Sequence, residues 1–182
     1  MRMEIFDIVD ENGIPTGETV ERTAAHRDGI RHRTAHVWVV RTVDGEPQVL
    51  LQKRSAGKDS FPGCLDTSSA GHIHAGDEPL VSALRELEEE LGISAEPEDL
   101  ELAGKFAISY EKEFYGKLFR DNEVSFVYVY RKQVDAAALH LQEEELESVC
   151  WRTFRETVEA VLRRDPAYCV PIGGLRVLEK VL

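Results

Sequence analysis

Residues 71–93 carry the sequence GHIHAGDEPLVSALRELEEELGI, which shows the strongest pattern in the chain. We predict a helix from Glu78 to Leu91, because proline is favoured in the first helical turn and glycine just past the last, where Gly92 stands. Apolar side chains recur along this segment at intervals of three and four residues, which predicts one buried stripe. The stripe consists of Leu80, Leu84, Leu87 and Leu91.

The predicted helix also carries three carboxylates on a neighbouring face, Glu86, Glu89 and Glu90. Like charges three or four residues apart on a helix repel one another by about 0.2–0.5 kcal/mol per pair. An acidic face beside a glycine-rich loop is typical of sites for hard divalent cations, which take oxygen ligands. The alternative interpretation is an ordinary solvated helix face.

The spacing of these residues resembles the signature box of the Nudix hydrolases, in which a glycine precedes a run of Arg-Glu-aliphatic-x-Glu-Glu-x-Gly-aliphatic. Asp77 departs from the pattern, since the family usually has a glutamate there; the charge is kept and the reach is shorter. The resemblance implies an α/β Nudix fold, a mixed β-sheet sandwiched between α-helices. The matching residues are Gly71, Arg85, Glu86, Leu87, Glu89, Glu90, Gly92 and Ile93.

The resemblance also implies a metal-dependent hydrolase that cleaves a diphosphate (P–O–P) linkage with Mg2+ or Mn2+. Such a reaction requires that negative charge be cancelled and that a water be deprotonated. By resemblance the base is Glu86, with Glu123 as the rival, and Arg85 orients Glu86 or Glu89. The implied catalytic residues are therefore Glu86, Glu89 and Arg85, and the implied metal ligands are Glu86, Glu89, Glu90 and Glu123.

Four further segments resemble the branch of the family that includes isopentenyl-diphosphate isomerase. They are residues 26–36, 50–72, 121–131 and 165–171. The isomerases hold a metal with histidines and two acids, and the corresponding candidates here are His32, His72, Asp121 and Glu123, whereas His26 lies one place away from an expected position. The isomerases also carry a proton-transferring cysteine where this chain has Ala70, so we prefer a hydrolase.

The same resemblance assigns the binding of the substrate diphosphate to two basic residues, Arg54 and Lys58, with Gly71 and His72 beside them. The alternative for the two cations is ordinary surface charge on a loop. If they bind the substrate, their removal is expected to lower kcat/KM and to change stability by less than about 1 kcal/mol. A single histidine on a strand is more often a packed or surface residue than a ligand. By default, aromatic side chains at strand and turn positions belong to the core, which is the interpretation for Trp38, Phe61 and Tyr168. The alternative is that these residues line a pocket for an organic group.

The composition fits one soluble globular domain over residues 1–182, with a short N-terminal β-hairpin extension. The net charge of −12 and the lack of a basic stripe argue against a protein that binds along nucleic acid. No apolar run approaches the length of a membrane span. Three cysteines without metal-site spacing indicate reduced thiols, and hence a cytoplasmic protein. The Nudix resemblance implies a small-molecule diphosphate substrate. The sequence does not determine the oligomeric state, and a homodimer remains one alternative.

Alternating patterns and turn signals predict the other elements. Strands are expected at 4–9, 18–23, 34–42, 48–53, 101–110, 123–130 and 148–153, with a hairpin turn at Asp44-Gly45 and loops at 26–33 and 55–63. Two more helices are expected at 154–164 and 174–182.

Three functions remain open on the sequence. The first is a hydrolase of a nucleoside diphosphate derivative or a related organic diphosphate. The second is an isomerase of an allylic diphosphate, which Ala70 disfavours because a methyl group has no proton to transfer. The third is a Nudix module that binds a ligand without turnover, which the intact glutamates disfavour.

Overall fold

The computed structural model describes residues 3–182. It contains nine strands: β1 (Ile5–Val9), β2 (Pro15–Glu21), β3 (His32–Val43), β4 (Glu46–Arg54), β5 (Leu65–Asp66), β6 (Ser69–His72), β7 (Leu100–Phe114), β8 (Lys117–Tyr130) and β9 (Leu146–Thr153). Four helices accompany them within that range: α1 (Arg22–Asp28), α2 (Pro79–Leu91), α3 (Phe154–Leu162) and α4 (Ile172–Glu179).

The central sheet is mixed. Its strands follow the order β5-β4-β3-β8-β7, with β6 paired to β3 and β9 paired to β4. Strands β3 and β8 are parallel, whereas the other pairs are antiparallel. Strands β1 and β2 form a separate two-stranded hairpin, as predicted for the N-terminus.

Strand β3 is buried on both faces, because helices cover the sheet on both sides. Its residues Ala35, Val37 and Val39 belong to the core that includes α2. Its residues Trp38 and Val40 belong to the opposite core, which includes α4. The predicted α/β sandwich, a mixed sheet between helices, is confirmed.

Helix α2 begins and ends where the sequence predicts. Pro79 occupies its first turn, and Gly92 adopts a left-handed φ of 69° while its N–H donates to the Glu88 carbonyl. Leu87 and Leu91 of the predicted stripe are fully buried, and Leu80 and Leu84 are partly buried against the same core.

The loop expected at residues 26–33 was a wrong prediction for its first part, because helix α1 occupies Arg22–Asp28. Glu21 caps this helix by accepting a hydrogen bond from the Ala24 N–H, and Gly29 ends it with a φ of 69°. A seven-residue helix has too few turns to show an apolar period. His26 lies in this helix, and it lines the cavity that is described below.

Strands β7 and β8 extend beyond their predicted bounds and meet in a tight turn at Tyr115-Gly116. The added part is largely exposed and polar, so it lacks the apolar alternation that marks a half-buried strand. Across residues 3–182, no helix is long and apolar enough to cross a membrane.

Candidate active site

A cavity of about 1070 Å³ brings together residues from the N-terminal hairpin, α1, α2 and the sheet. Almost every residue that the sequence assigns to the site lines it, including Arg54, Lys58, Gly71, His72 and Arg85. The glutamates of the predicted acidic face, Glu86, Glu89 and Glu90, line it as well, and so does Glu123. The three assigned residues outside this lining are His32, Asp77 and Gly92.

Gly71 and Glu86 fit together so closely that a side chain at position 71 has no room. A Cβ atom built on Gly71 would lie 2.2 Å from the Glu86 Cδ and 2.4 Å from its Oε1. The glycine therefore lets the Glu86 carboxylate rest directly against the backbone of β6. This contact is the physical reason for a glycine fifteen residues before the glutamate.

Arg85 connects the box loop to Glu86. Its Nη2 donates to the Glu86 Oε1 at 2.9 Å and to the His72 carbonyl at 3.0 Å, while its Nη1 lies 3.2 Å from the Asp77 Oδ2. Asp77 thus reaches the guanidinium despite being shorter than the usual glutamate. The arrangement fits the orienting role expected for Arg85.

The three glutamates of α2 lie in different environments. Glu89 is exposed, whereas Glu90 is buried and accepts a hydrogen bond from the Ala70 N–H at 3.1 Å. Burial, with a further contribution from the charge of Glu86, raises the pKa of Glu90 to about 8. Burial also raises the pKa of Glu86, although the hydrogen bond from Arg85 opposes the shift.

These raised pKa values reflect negative charge that the neighbouring protein groups do not fully compensate. A divalent cation between the carboxylates would compensate it, and oxygen donors are the ligands that Mg2+ and Mn2+ prefer. Glu86, Glu89 and Glu90 therefore fit the predicted ions by donor type.

A second group of potential ligands adjoins the cavity: His26, His72 and Glu123 line it, whereas His32 is fully buried outside its lining. The ligand atoms of His26, His32, His72 and Glu123 all lie within 4.8 Å of one another. The Nε2 atoms of His32 and His72 lie 3.7 and 3.8 Å from the Glu123 Oε1. Asp121, which points to the same face of β8, has its Oδ1 3.7 Å from the Nε2 of His26. We call these five residues the histidine centre.

The tautomers of two histidines in this centre follow from their hydrogen bonds. The Nδ1 of His26 lies 3.0 Å from the Arg22 carbonyl, and the Nδ1 of His32 lies 2.8 Å from the Ile30 carbonyl. Because a carbonyl only accepts, each Nδ1 carries a hydrogen, and in the neutral ring the Nε2 keeps its lone pair. The Nε2 atoms of His26, His32 and His72 are buried without a hydrogen-bond partner.

Unpartnered imidazole nitrogens beside a carboxylate fit a first-row transition ion by donor type. The sequence left His26 one place away from the expected ligand position. Helix α1 brings its ring to the centre, so counting along the chain could not predict this contact.

Arg54 is more enclosed than a surface cation. Its Nε and Nη2 donate to the Ser60 carbonyl at 3.1 and 3.0 Å, and its Nη1 lies 3.3 Å from the Asp66 Oδ2. Its side chain is 15% exposed. Lys58 pairs with Glu145 and is 17% exposed. Both cations are therefore largely buried and paired with protein carboxylates, while their role toward a phosphate stays a prediction.

The three aromatic residues that the sequence assigned to the core lie in different places. Trp38 is fully buried, and Tyr168 packs partly buried against the same core, as predicted. Phe61 instead lines the cavity, so its assignment to the core was wrong. The cavity also contains Arg22, Tyr110 and Phe119, which the sequence analysis did not single out and for which no motif gave a signal.

Comparisons with known proteins agree with this architecture. Residues 31–171 match the model of the NUDIX domain family. A crystal structure of DR0079 from Deinococcus radiodurans superposes with a TM-score of 0.71 at 18% identity and covers 98% of this chain and 100% of its own. The NUDIX domain of NrtR from Shewanella oneidensis, in a complex with ADP ribose, gives a TM-score of 0.54 at 17% identity, covering 81% and 84%. At such identities the likeness concerns the fold alone.

Curated relatives are more similar in sequence. Nudix hydrolase 3 of Arabidopsis thaliana is 41% identical over 170 residues, which are 92% of this chain and 22% of that protein. This chain thus spans about a fifth of that relative. The uncharacterized Nudix hydrolase YfcD of Escherichia coli K12 is 32% identical over 84% of this chain and 76% of its own length. Both relatives are named as Nudix hydrolases, the enzyme class that the sequence predicts. The chain belongs to the NUDIX domain family.

Proposed function

We propose that this protein is a metal-dependent Nudix hydrolase that cleaves the P–O–P linkage of a small organic diphosphate. One observation carries the proposal: the box glutamates and the cations Arg54 and Lys58 line a single cavity. Cleavage of a diphosphate needs both groups together, because the phosphate oxygens must be bound while a water is deprotonated. The family generally uses divalent metals, and Mg2+ or Mn2+ is proposed here.

Each residue of the site then has a role. Glu86, Glu89 and Glu90 would hold the ion, and Glu123 is a further acidic ligand nearby. A bound divalent ion supplies charge compensation at phosphate oxygens and lowers the pKa of a water. Glu86 accepts the proton of the attacking water, and Arg85 holds Glu86 in position. Arg54 and Lys58 bind phosphate oxygens, with Gly71 and His72 forming the adjoining floor of the cavity.

The N-terminal hairpin belongs to the same functional unit in this proposal. Glu4 and Ile5 line the cavity, and the Ala75 N–H of the box loop donates to the Ile5 carbonyl at 2.8 Å. Arg33 lies 2.8 Å from Asp7 and also donates to the Asp77 carbonyl. We therefore treat residues 1–182 as one Nudix domain.

A panel of diphosphates tests the hydrolase directly. Release of phosphate-containing products would be followed with ADP-ribose, a dinucleoside polyphosphate and a prenyl diphosphate, each with Mg2+ and with Mn2+. We expect turnover of at least one compound and its loss in excess EDTA. Full turnover in EDTA would contradict the metal requirement, and no turnover of any compound would contradict the hydrolase.

The second candidate is an isomerase of an allylic diphosphate, and the histidine centre is the observation that favours it. Against it stands Ala70, which lines the cavity where the isomerases carry their cysteine. Without a titratable group at this position, protonation of carbon has no donor there. Isopentenyl diphosphate should give no reaction or the monophosphate and phosphate. Formation of dimethylallyl diphosphate would reverse the ranking.

A further inference from the structure

An aromatic wall runs along one side of the cavity. Phe61, Tyr110 and Phe119 form it, with Ile108 beside them. The ring centroids of Phe61 and Tyr110 are 5.9 Å apart, and those of Tyr110 and Phe119 are 6.4 Å apart. At its inner end the Phe119 ring stacks on His26, with centroids 4.4 Å apart and an interplanar angle of 20°. The wall therefore extends from the histidine centre to Phe61.

Phe61 is held in a backbone conformation that a bulky residue rarely adopts. Its φ is 46°, in the left-handed region, where a large side chain is strained. Among residues 3–182 it belongs to neither of the two hydrophobic cores, so core packing does not account for the strain. The strained conformation instead presents the ring to the cavity.

The turn between β7 and β8 holds Phe61 in this position. The Phe114 ring meets it edge-on, with centroids 4.9 Å apart, and the Lys112 Nζ lies 4.5 Å from its centroid. The Tyr115 hydroxyl donates to the Lys58 carbonyl at 3.3 Å, so the same turn also contacts the loop that carries a phosphate-binding cation. The part of the hairpin that the sequence did not predict thus supports the loop of the site.

We propose that Phe61 is a specificity-determining residue and that the wall it forms with Tyr110 and Phe119 binds a planar ring in the organic group of the diphosphate. The assignment rests on the proposed function, because it assumes that the phosphates lie among the box glutamates, Arg54 and Lys58. Aromatic side chains stack favourably on any nucleobase, because every base has a planar π-face. The three rings line the same cavity as the proposed phosphate-binding residues.

Polar groups that line the cavity distinguish a ring from an alkyl chain. Asp59, Gln142 and Glu145 line the same space and offer acceptors for the hydroxyl and N–H groups of a nucleoside. A flexible alkyl chain would remove these groups from water without replacing their hydrogen bonds, which is unfavourable. The combination of wall and acceptors therefore fits a planar, hydrogen-bonding group.

Binding of non-hydrolysable ligands tests this inference without relying on turnover. Isothermal titration calorimetry with Mg2+ would compare α,β-methylene-ADP with methylenediphosphonate, which lacks the nucleoside. We expect the nucleoside analogue to bind wild type at least tenfold more tightly. Phe61→Gly removes the ring and tolerates the positive φ, so it should weaken the nucleoside analogue about 5- to 100-fold, the range for base–aromatic stacking. It should leave methylenediphosphonate within about twofold.

Two variants complete the test. Phe61→Tyr should restore binding of the nucleoside analogue, because it restores a ring. Leu118→Ala, an exposed position on the same hairpin outside the cavity lining, should leave both ligands unaffected. Equal losses of affinity for both ligands in Phe61→Gly would overturn the proposal, because Phe61 would then only position the loop. An unchanged affinity for the nucleoside analogue in Phe61→Gly would overturn it as well. Tighter binding of a prenyl methylenediphosphonate than of the nucleoside analogue would also overturn it. Absence of turnover in the diphosphate panel contradicts the hydrolase alone, since these affinities do not depend on it.

Discussion

The guanidinium of Arg54 has two kinds of partner. It donates to the Ser60 carbonyl and faces the Asp66 carboxylate, whose side chain is 13% exposed, while it also lines the cavity. Removing it would leave a largely buried carboxylate without its cation, and a lost hydrogen bond to a charged group costs about 1.5–3 kcal/mol. Arg54 therefore contributes to the stability of the loop as well as to the charge of the site.

We predict that Arg54→Ala lowers the free energy of unfolding by about 2 kcal/mol, since Asp66 loses its partner. Lys58→Ala should lower it by less than about 1 kcal/mol, because Glu145 is more exposed and stays hydrated. Both variants should reduce kcat/KM for a diphosphate. Urea denaturation beside steady-state kinetics measures the two effects. An unchanged unfolding free energy in Arg54→Ala would show that the contacts with Ser60 and Asp66 contribute nothing to stability.

The β1–β2 hairpin is attached to the site through one buried ring. Phe6 is fully buried, and its ring stacks on His72 and His32 with centroids 4.6 and 5.0 Å apart. This ring thus covers two histidines of the histidine centre. The hairpin is therefore a part of the cavity wall, although the sequence indicates only a short extension.

We predict that Phe6→Ala lowers the free energy of unfolding by about 3–5 kcal/mol, the usual cost of deleting a buried aromatic ring. Ile5→Ala is the matched control on the same strand, because Ile5 is 38% exposed and should lose much less. Chemical denaturation of the two variants measures the difference. Equal small losses would indicate a hairpin that is independent of the remaining fold.

The parts of the fold that a local pattern encodes were predictable from the sequence. Helix α2 has an apolar period, a proline at its start and a glycine at its end, so its bounds followed from the residues alone. Helix α1 has no such period. The contact between the rings of His26 and His32 depends on how this helix packs. The positions of Arg54 and Phe61 likewise depend on tertiary contacts, because neighbouring residues in a loop carry no signal of burial or backbone angle.

The whole molecule carries a net charge of −12, whereas the proposed substrate is an anion. In the proposed function, the cations of the cavity and a bound metal would offset this repulsion locally. Glu86 is central to the account, because it lies against Gly71 and is held by Arg85. Glu88 lies on the same helix and is exposed, which makes it a suitable control.

The most direct test is the kcat of Glu86→Gln and Glu88→Gln on the best substrate of the diphosphate panel, with saturating Mg2+. The substitution at Glu86 keeps the shape of the side chain and removes its charge and its capacity as a base. We expect kcat to fall by a factor on the order of 100 or more in Glu86→Gln, as when a charge-stabilising group of a catalytic site is removed. Glu88→Gln should retain the wild-type kcat within about twofold. Wild-type turnover in Glu86→Gln, or an equal loss in both variants, would contradict hydrolysis at the box glutamates.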